Sequence, residues 1–260
     1  MEASPAPWIN ALRNSHDKLQ AVVEPLDASQ LEQLSYASEW SIAQVLSHLG
    51  SQAEIFELFL DAGLTGQDPP GMDAFGPIWE VWNAKSPQAQ ASDALSADEV
   101  TTVRFESMDA AEQARLRLKV FGMDGDITTL ARMRLGEHAL HTWDVLVAVD
   151  PAATVAPDAV ALLIDSLDQL IGRTGKPDGK PRTVHVTTSD PERHFILETG
   201  DAVTLVAADD EAPEPGLPEL RLPAEAFIRL IYGRLDADHT PPVESTGVEL
   251  DELRPLFPGF

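Results

Sequence analysis

The stretch GEHALHTWD, residues 136–144, sets a glutamate and two histidines within five positions. Glu137 and His141 are four apart, so on a helix they face the same way. Asp144, seven from Glu137, shares that face, and His138 is rotated away. Leu135, Leu140, Val145 and Leu146 surround them, so a polar stripe runs along a helix that is otherwise built for a core. Carboxylate and imidazole at this spacing bind one ion in a helical bundle, but the same spacing occurs on solvated faces. His48 changes the balance. It sits among Val45, Leu46, Leu49 and Ile55, where a lone histidine is ordinarily a satisfied core residue. Taken with Glu137 and His141 it makes two histidines and one carboxylate. Three such ligands leave a position open, as on catalytic zinc. The chemistry on offer is then activation of a nucleophile at that open position.

Other polar residues carry weaker signals. His185 and His194 fall in strand-like segments and are expected to be exposed or half-buried, while His16 and His239 have no partner pattern. Trp143 adjoins the polar stripe and is read either as core or as a pocket wall. Asp144 is a candidate to orient a ligand imidazole, or else a surface ion-pair partner. Arg234 follows Gly233 in IYGR. It complements the negative end of a helix or, functionally, clamps a carboxylate with its forked donors. Gly-rich phosphate loops, GxSxG and HExxH are absent from the sequence.

Composition bounds the alternatives. The 260 residues are 43% hydrophobic and 23% charged, a globular balance with room for two domains. Forty-three acids against 18 bases give a net charge of −25. Such a chain repels nucleic-acid backbones and anionic lipid surfaces. There is no cysteine, so disulfides, thiolate ligands and a cysteine nucleophile are excluded, and any thiol chemistry needs a thiol from outside. The opening MEASPAPWINALRNSHDKL has no basic region followed by an apolar core, and no apolar run is long enough to span a bilayer. A cytoplasmic protein, a monomer or weak homo-oligomer, is expected.

The elements that must position these residues read as follows. Trp8, Leu12, Leu19, Val22 and Val23 predict a helix over 7–24. Ser41 with Gln44 fits a capping box, and Trp40 with Val45 fits its hydrophobic staple; the helix should run to about Ala62 and stop at Gly63. Residues 70–90 are Pro-interrupted. A third long helix is expected over SADEVTTVRFESMDAAEQARLRL, residues 96–118, from a Ser96 cap with Glu99 three places on, and a fourth near Asp126. Four long helices predict an up-down bundle over residues 1–152. After the linker PAATVAPD, DAVALLIDSLDQLIGR reads as one helix. RTVHVTT, RHFILET and AVTLVAA alternate in period two and predict an antiparallel meander. A short strand at 220–222 precedes a helix opened by Pro223 and ended by Gly233. EAPEPGLPE, 211–219, is an acidic loop. The fold class is therefore mixed: an all-α bundle followed by a smaller α+β domain over 153–260.

The chain resembles the mycothiol-dependent maleylpyruvate isomerase family. The resemblance rests on EWSIAQVLSHLG, on GEHALHTWD, and on LPAEAFIRLIYGR followed by VESTG, and it covers nearly the whole chain. It implies a DinB-like N-terminal domain and a sterol-carrier-like C-terminal domain. It implies a divalent metal, zinc, on His48, Glu137 and His141, and a functional Arg234 that meets the ligand, with Trp143 beside the site. It also implies mycothiol as the thiol cosubstrate. Its thiolate adds to a conjugated cis double bond, the bond rotates, and elimination releases the trans product. In one place the chain departs from the pattern. The isomerases use an arginine after the histidine-bearing helix, where this chain reads VWNAKSPQAQ with Lys85 the only base. A lysine offers charge but no bidentate fork. S-transfer to another electrophile is thus an expectation beside isomerisation. A metal-dependent hydrolase and a non-catalytic lipid or small-molecule carrier are the rival readings.

Overall fold

The computed structural model describes residues 4–37, 39–208 and 216–259. The chain divides into two compact units, Met1–Thr154 and Val155–Phe260. Positions 211–215 of the acidic loop lie outside the described residues.

The first unit is built on helices α1 (Ala6–Val23), α2 (Ala28–Leu31), α3 (Ile42–Thr65), α4 (Phe75–Asn83), α5 (Pro87–Ser107), α6 (Ala110–Arg115) and α7 (Ile127–Val149). The four long ones pack in pairs: α1 against α5 and α7, and α3 against α5 and α7. Leu19 and Val23 of α1, Leu46 and Leu49 of α3, Ala91 and Ala94 of α5 and Val145 of α7 share one buried cluster with Trp82. This cluster holds α3 and α7 in fixed rotation, which decides where His48 and Glu137 point. A hairpin of β1 (Leu118–Val120) and β2 (Met123–Gly125) precedes α7. The sequence reading did not anticipate it.

Helix starts follow side-chain capping. Ser41 and Gln44 form the expected reciprocal box, and Asp126 caps α7 through the Thr129 N–H. Three boundaries differ from expectation. The helix expected to run to 118 ends at Ser107, where Met108 is extended and Asp109 caps the separate α6. α3 runs through Gly63, which is buried against Leu116, and ends at Gly66 in the left-handed conformation, φ 68°. α5 begins nine residues before Ser96, because Ser86 caps it with Pro87 in the first turn. Ser96 lies mid-helix and its hydroxyl donates to the Ser92 carbonyl.

The second unit carries α8 (Pro157–Leu163), α9 (Leu167–Thr174), α10 (Ala224–Ile231), α11 (Leu250–Leu253) and strands β3 (Arg182–Ser189), β4 (Arg193–Thr199), β5 (Thr204–Ala207), β6 (Glu219–Pro223) and β7 (Glu244–Thr246). The segment expected as one helix is broken by a 3₁₀ turn at Ile164–Ser166. The sheet order is β5-β4-β3-β6-β7. The meander β3-β4-β5 is antiparallel as expected, but β6 joins β3 in parallel, with Val186 opposite Leu220. A parallel neighbour needs a crossover rather than a hairpin, so the sheet is mixed. Gly233 follows α10 at φ 71°, where a Cβ would sit 2.4 Å from the Gly259 nitrogen. Only glycine fits there. Among the described residues no helix is long and apolar enough to cross a membrane.

Candidate metal centre

α3 and α7 bring three of the singled-out residues together. One ligand atom from each of His48, Glu137 and His141 lies within 4.8 Å of the others. Glu137 Oε2 stands between the two rings, 3.4 Å from His48 Nε2 and 3.7 Å from His141 Nε2. These separations are long for hydrogen bonds. Bonds of about 2.0–2.2 Å in tetrahedral array put donor atoms about 3.3–3.6 Å apart; the separations at Glu137 Oε2 are close to this, so the three residues could hold a divalent cation. His48 and Glu137 are half-buried, His141 is buried, and the cluster is open on one side.

The ring of His141 is fixed from behind. Its Nδ1–H donates to Asp144 Oδ2 at 2.8 Å, and Asp144 is fully buried. Nδ1 therefore holds the proton and the Nε2 lone pair faces Glu137. This is the outer support that tunes a metal-binding imidazole. Tyr36 N–H donates to the Asp144 carbonyl at 3.1 Å, and its ring lies 4.7 Å from that of Trp143. The expected staple residue, Trp40, is 37% exposed, with its indole 5.3 Å from His48 and 6.2 Å from His141, nearly parallel to the latter. It forms an aromatic wall beside the cluster. Gln52, which spacing arguments did not single out, reaches both His48 Nε2 and Glu137 Oε2 at 3.3 Å. Its signal was available: it lies four residues after His48, one turn along the same face.

The remaining residues fall elsewhere. Trp143 is buried, and its indole N–H donates to the Ala153 carbonyl at 2.9 Å. Lys85 pairs with Asp93 at 3.1 Å and stacks 3.4 Å over the Trp82 ring. Arg234, in the second unit, is buried, and its Nη1 donates to the Tyr232 carbonyl at the end of α10. Arg229 pairs with both Glu225 oxygens and donates to the Arg234 carbonyl.

Three histidine expectations fail. His239 meets Asp236 Oδ1 through Nδ1 at 2.8 Å and through its backbone N–H at 2.9 Å. His185 is buried, its ring 5.7 Å from that of His194; burial and the neighbouring histidine push it below the usual imidazole range. His16 has partners after all. It donates to Asp98 Oδ2 at 2.7 Å and meets Glu99 at 3.1 Å. Burial disfavours its charged form, but the Asp98 bond and charge, with Glu99, raise it above its ordinary value. His138 reaches the same Asp98 oxygen at 2.7 Å and Ser15 on its other side. Burial outweighs Asp98 there and lowers its pKa. Arg134 completes the cluster at 2.7 Å from Asp98 Oδ1. Burial alone would raise the Asp98 pKa; the charges of His138 and Arg134, with the hydrogen bonds from His138 and His16, hold it well below the usual range.

Fold and site together define a class: a helical unit bearing an open cluster of two histidines and a carboxylate, followed by an α+β unit. The chain belongs to the family described as the mycothiol maleylpyruvate isomerase N-terminal domain, whose sequence model matches residues 12–146. The crystal structure of the mycothiol-dependent maleylpyruvate isomerase is similar over 95% of both chains, at a TM-score of 0.70 and 14% identity. A structure of a histidine-to-alanine variant of that isomerase gives the same values. At this identity the likeness is one of fold. No curated protein matches the chain.

Proposed function

We propose that this protein is a zinc-dependent enzyme that activates the thiol of mycothiol for addition to an electrophilic small molecule. The outcome is cis–trans isomerisation of a maleylpyruvate-like substrate or transfer of the sulfur. The observation that carries this is the spacing of the His48, Glu137 and His141 donor atoms, in a chain belonging to this family. The four long helices are read as a DinB-like up-down bundle, and the second unit as sterol-carrier-like.

Zinc, when bound, supplies the Lewis acidity that lowers a thiol pKa to near neutrality. The chain's residues do the rest. Two neutral imidazoles and one carboxylate leave a single positive charge on a divalent centre, so a thiolate is attracted and neutralises it. That local charge opposes the field of a chain carrying −25. Asp144 keeps the proton of His141 on Nδ1 and so presents Nε2 as the ligating atom. Trp40 walls off water beside the rings. Lys85 is already committed to Asp93 and Trp82, which favours an electrophile that lacks a second carboxylate and hence S-transfer. Arg234 is assigned to a carboxylate of the ligand.

Purified protein should contain about one divalent ion per chain, and His48→Ala should lose it. Turnover of maleylpyruvate, or of an alkylating electrophile, should require added mycothiol. A metal-free wild type would sink this reading, and turnover without thiol would favour activated water instead.

A further inference from the structure

Gln52 is placed where neither capping nor core packing explains it. It is half-buried on α3, one turn beyond His48. Its Nε2 is 3.3 Å from His48 Nε2 and 3.3 Å from Glu137 Oε2. Both contacted atoms belong to the proposed metal donor set, so the carboxamide lies at the rim of that set. Lone pairs committed to a cation no longer accept from Gln52. Glu137 Oε2 keeps a second lone pair for one N–H, while the N–H that faced His48 Nε2 turns to the nearest new acceptor, which is whatever fills the position the three ligands leave open. A carboxamide suits that task. It is uncharged and so does not repel the cation, and it carries two donors. A sulfur held as thiolate is the kind of charged acceptor whose hydrogen bonds are strongest.

We infer that Gln52 donates its carboxamide N–H to the thiolate bound at the His48–Glu137–His141 centre, and so sets thiol affinity and favours the ionised thiol over the neutral one. This rests on the metal and thiol reading above. The donor replaces water, which the Trp40 wall partly excludes on the histidine side, and holds the sulfur on the α3 side of the centre.

The test uses the full chain loaded with cobalt and titrated with 2-mercaptoethanol, followed by the sulfur-to-cobalt charge-transfer band. Gln52→Ala should take up cobalt as the wild type does but bind the thiol about tenfold or more weakly at pH 7, the scale of one hydrogen bond to a charged group. The pH at which half the centre holds thiolate should rise by about one unit in Gln52→Ala. Gln52→Glu should bind the thiol more weakly still, through like charge. Equal thiol affinity in Gln52→Ala and wild type overturns the inference. So does loss of cobalt from Gln52→Ala, which would make Gln52 a ligand through Oε1. A wild type that binds cobalt but shows no sulfur band overturns the thiol reading and the inference together.

Discussion

Glu137 and His138 are adjacent on α7 and belong to opposite kinds of polar cluster. His138 faces a closed one. Asp98, Arg134, His16 and His138 are each at most 2% exposed, and their contacts to Asp98 are all 2.7 Å. Glu137 faces an open one, with side-chain exposures of 23%, 27% and 10% for His48, Glu137 and His141 and separations of 3.4 and 3.7 Å. One residue's rotation, about 100° on a helix of 3.6 residues per turn, separates them. Short contacts converge on Asp98 and hold α1, α5 and α7 together, although Arg134 Nε and Nη1 are buried without a partner. The longer contacts lie among partly exposed side chains whose ligand atoms stand close enough to share one cation. The same residue types therefore do structural or chemical work according to how deeply they are buried and how closely their polar atoms approach.

The contrast can be broken most severely at Asp98. Asp98→Ala leaves the Arg134 guanidinium buried without its carboxylate. Removing one partner of a buried pair costs about 3–5 kcal/mol, which urea unfolding of the metal-free protein would register as a lower midpoint. A loss below about 1 kcal/mol would place Asp98 with the open cluster. Glu137→Ala should do the reverse. Its side chain is partly exposed and its contacts are long, so metal-free stability should stay within about 1 kcal/mol of wild type while metal uptake is lost. Equal loss of stability in both variants would abolish the distinction.

Asp144 is the intermediate case, since it is fully buried yet turned to the open cluster. Asp144→Asn keeps the shape but removes the charge that fixes the His141 tautomer. Metal affinity should drop about 10- to 100-fold, read by competition with a chelator, with the ligands themselves intact. Unchanged affinity would make Asp144 a packing residue only.

Legibility in the sequence follows the same division. Glu137, His141 and Asp144 repeat at helical spacing, and the caps at Ser41 and Asp126 are local signals, so both could be read without coordinates. Asp98 is 36 positions from Arg134, 40 from His138 and 82 from His16, and no periodicity links them. Ser96 misled because a serine followed by Glu99 resembles a cap, while Ser86 with Pro87 caps better. Gly63 misled because its missing side chain serves packing on Leu116 rather than a stop. The parallel β6 was invisible because strand direction depends on a crossover, not on residue alternation.

The slightest test of the comparison is one of slope rather than size. His16 belongs to the closed cluster, yet it also lines a cavity of about 710 Å³ with Arg13 and Glu99, so protons reach it. Its folded pKa is raised above the usual 6.5 by Asp98 and Glu99, against burial and Arg13. A raised folded pKa means that the native state holds the proton more tightly than the unfolded chain. The stability this supplies is fully present below pH 6.5 and fades as pH climbs through the raised value. The stability gap between wild type and His16→Gln should therefore be widest in mild acid and narrow with rising pH, in denaturant titrations at matched ionic strength. A gap that widens with pH would mean that His16 enters the fold as a neutral ring, and that the closed cluster is held by Arg134 alone.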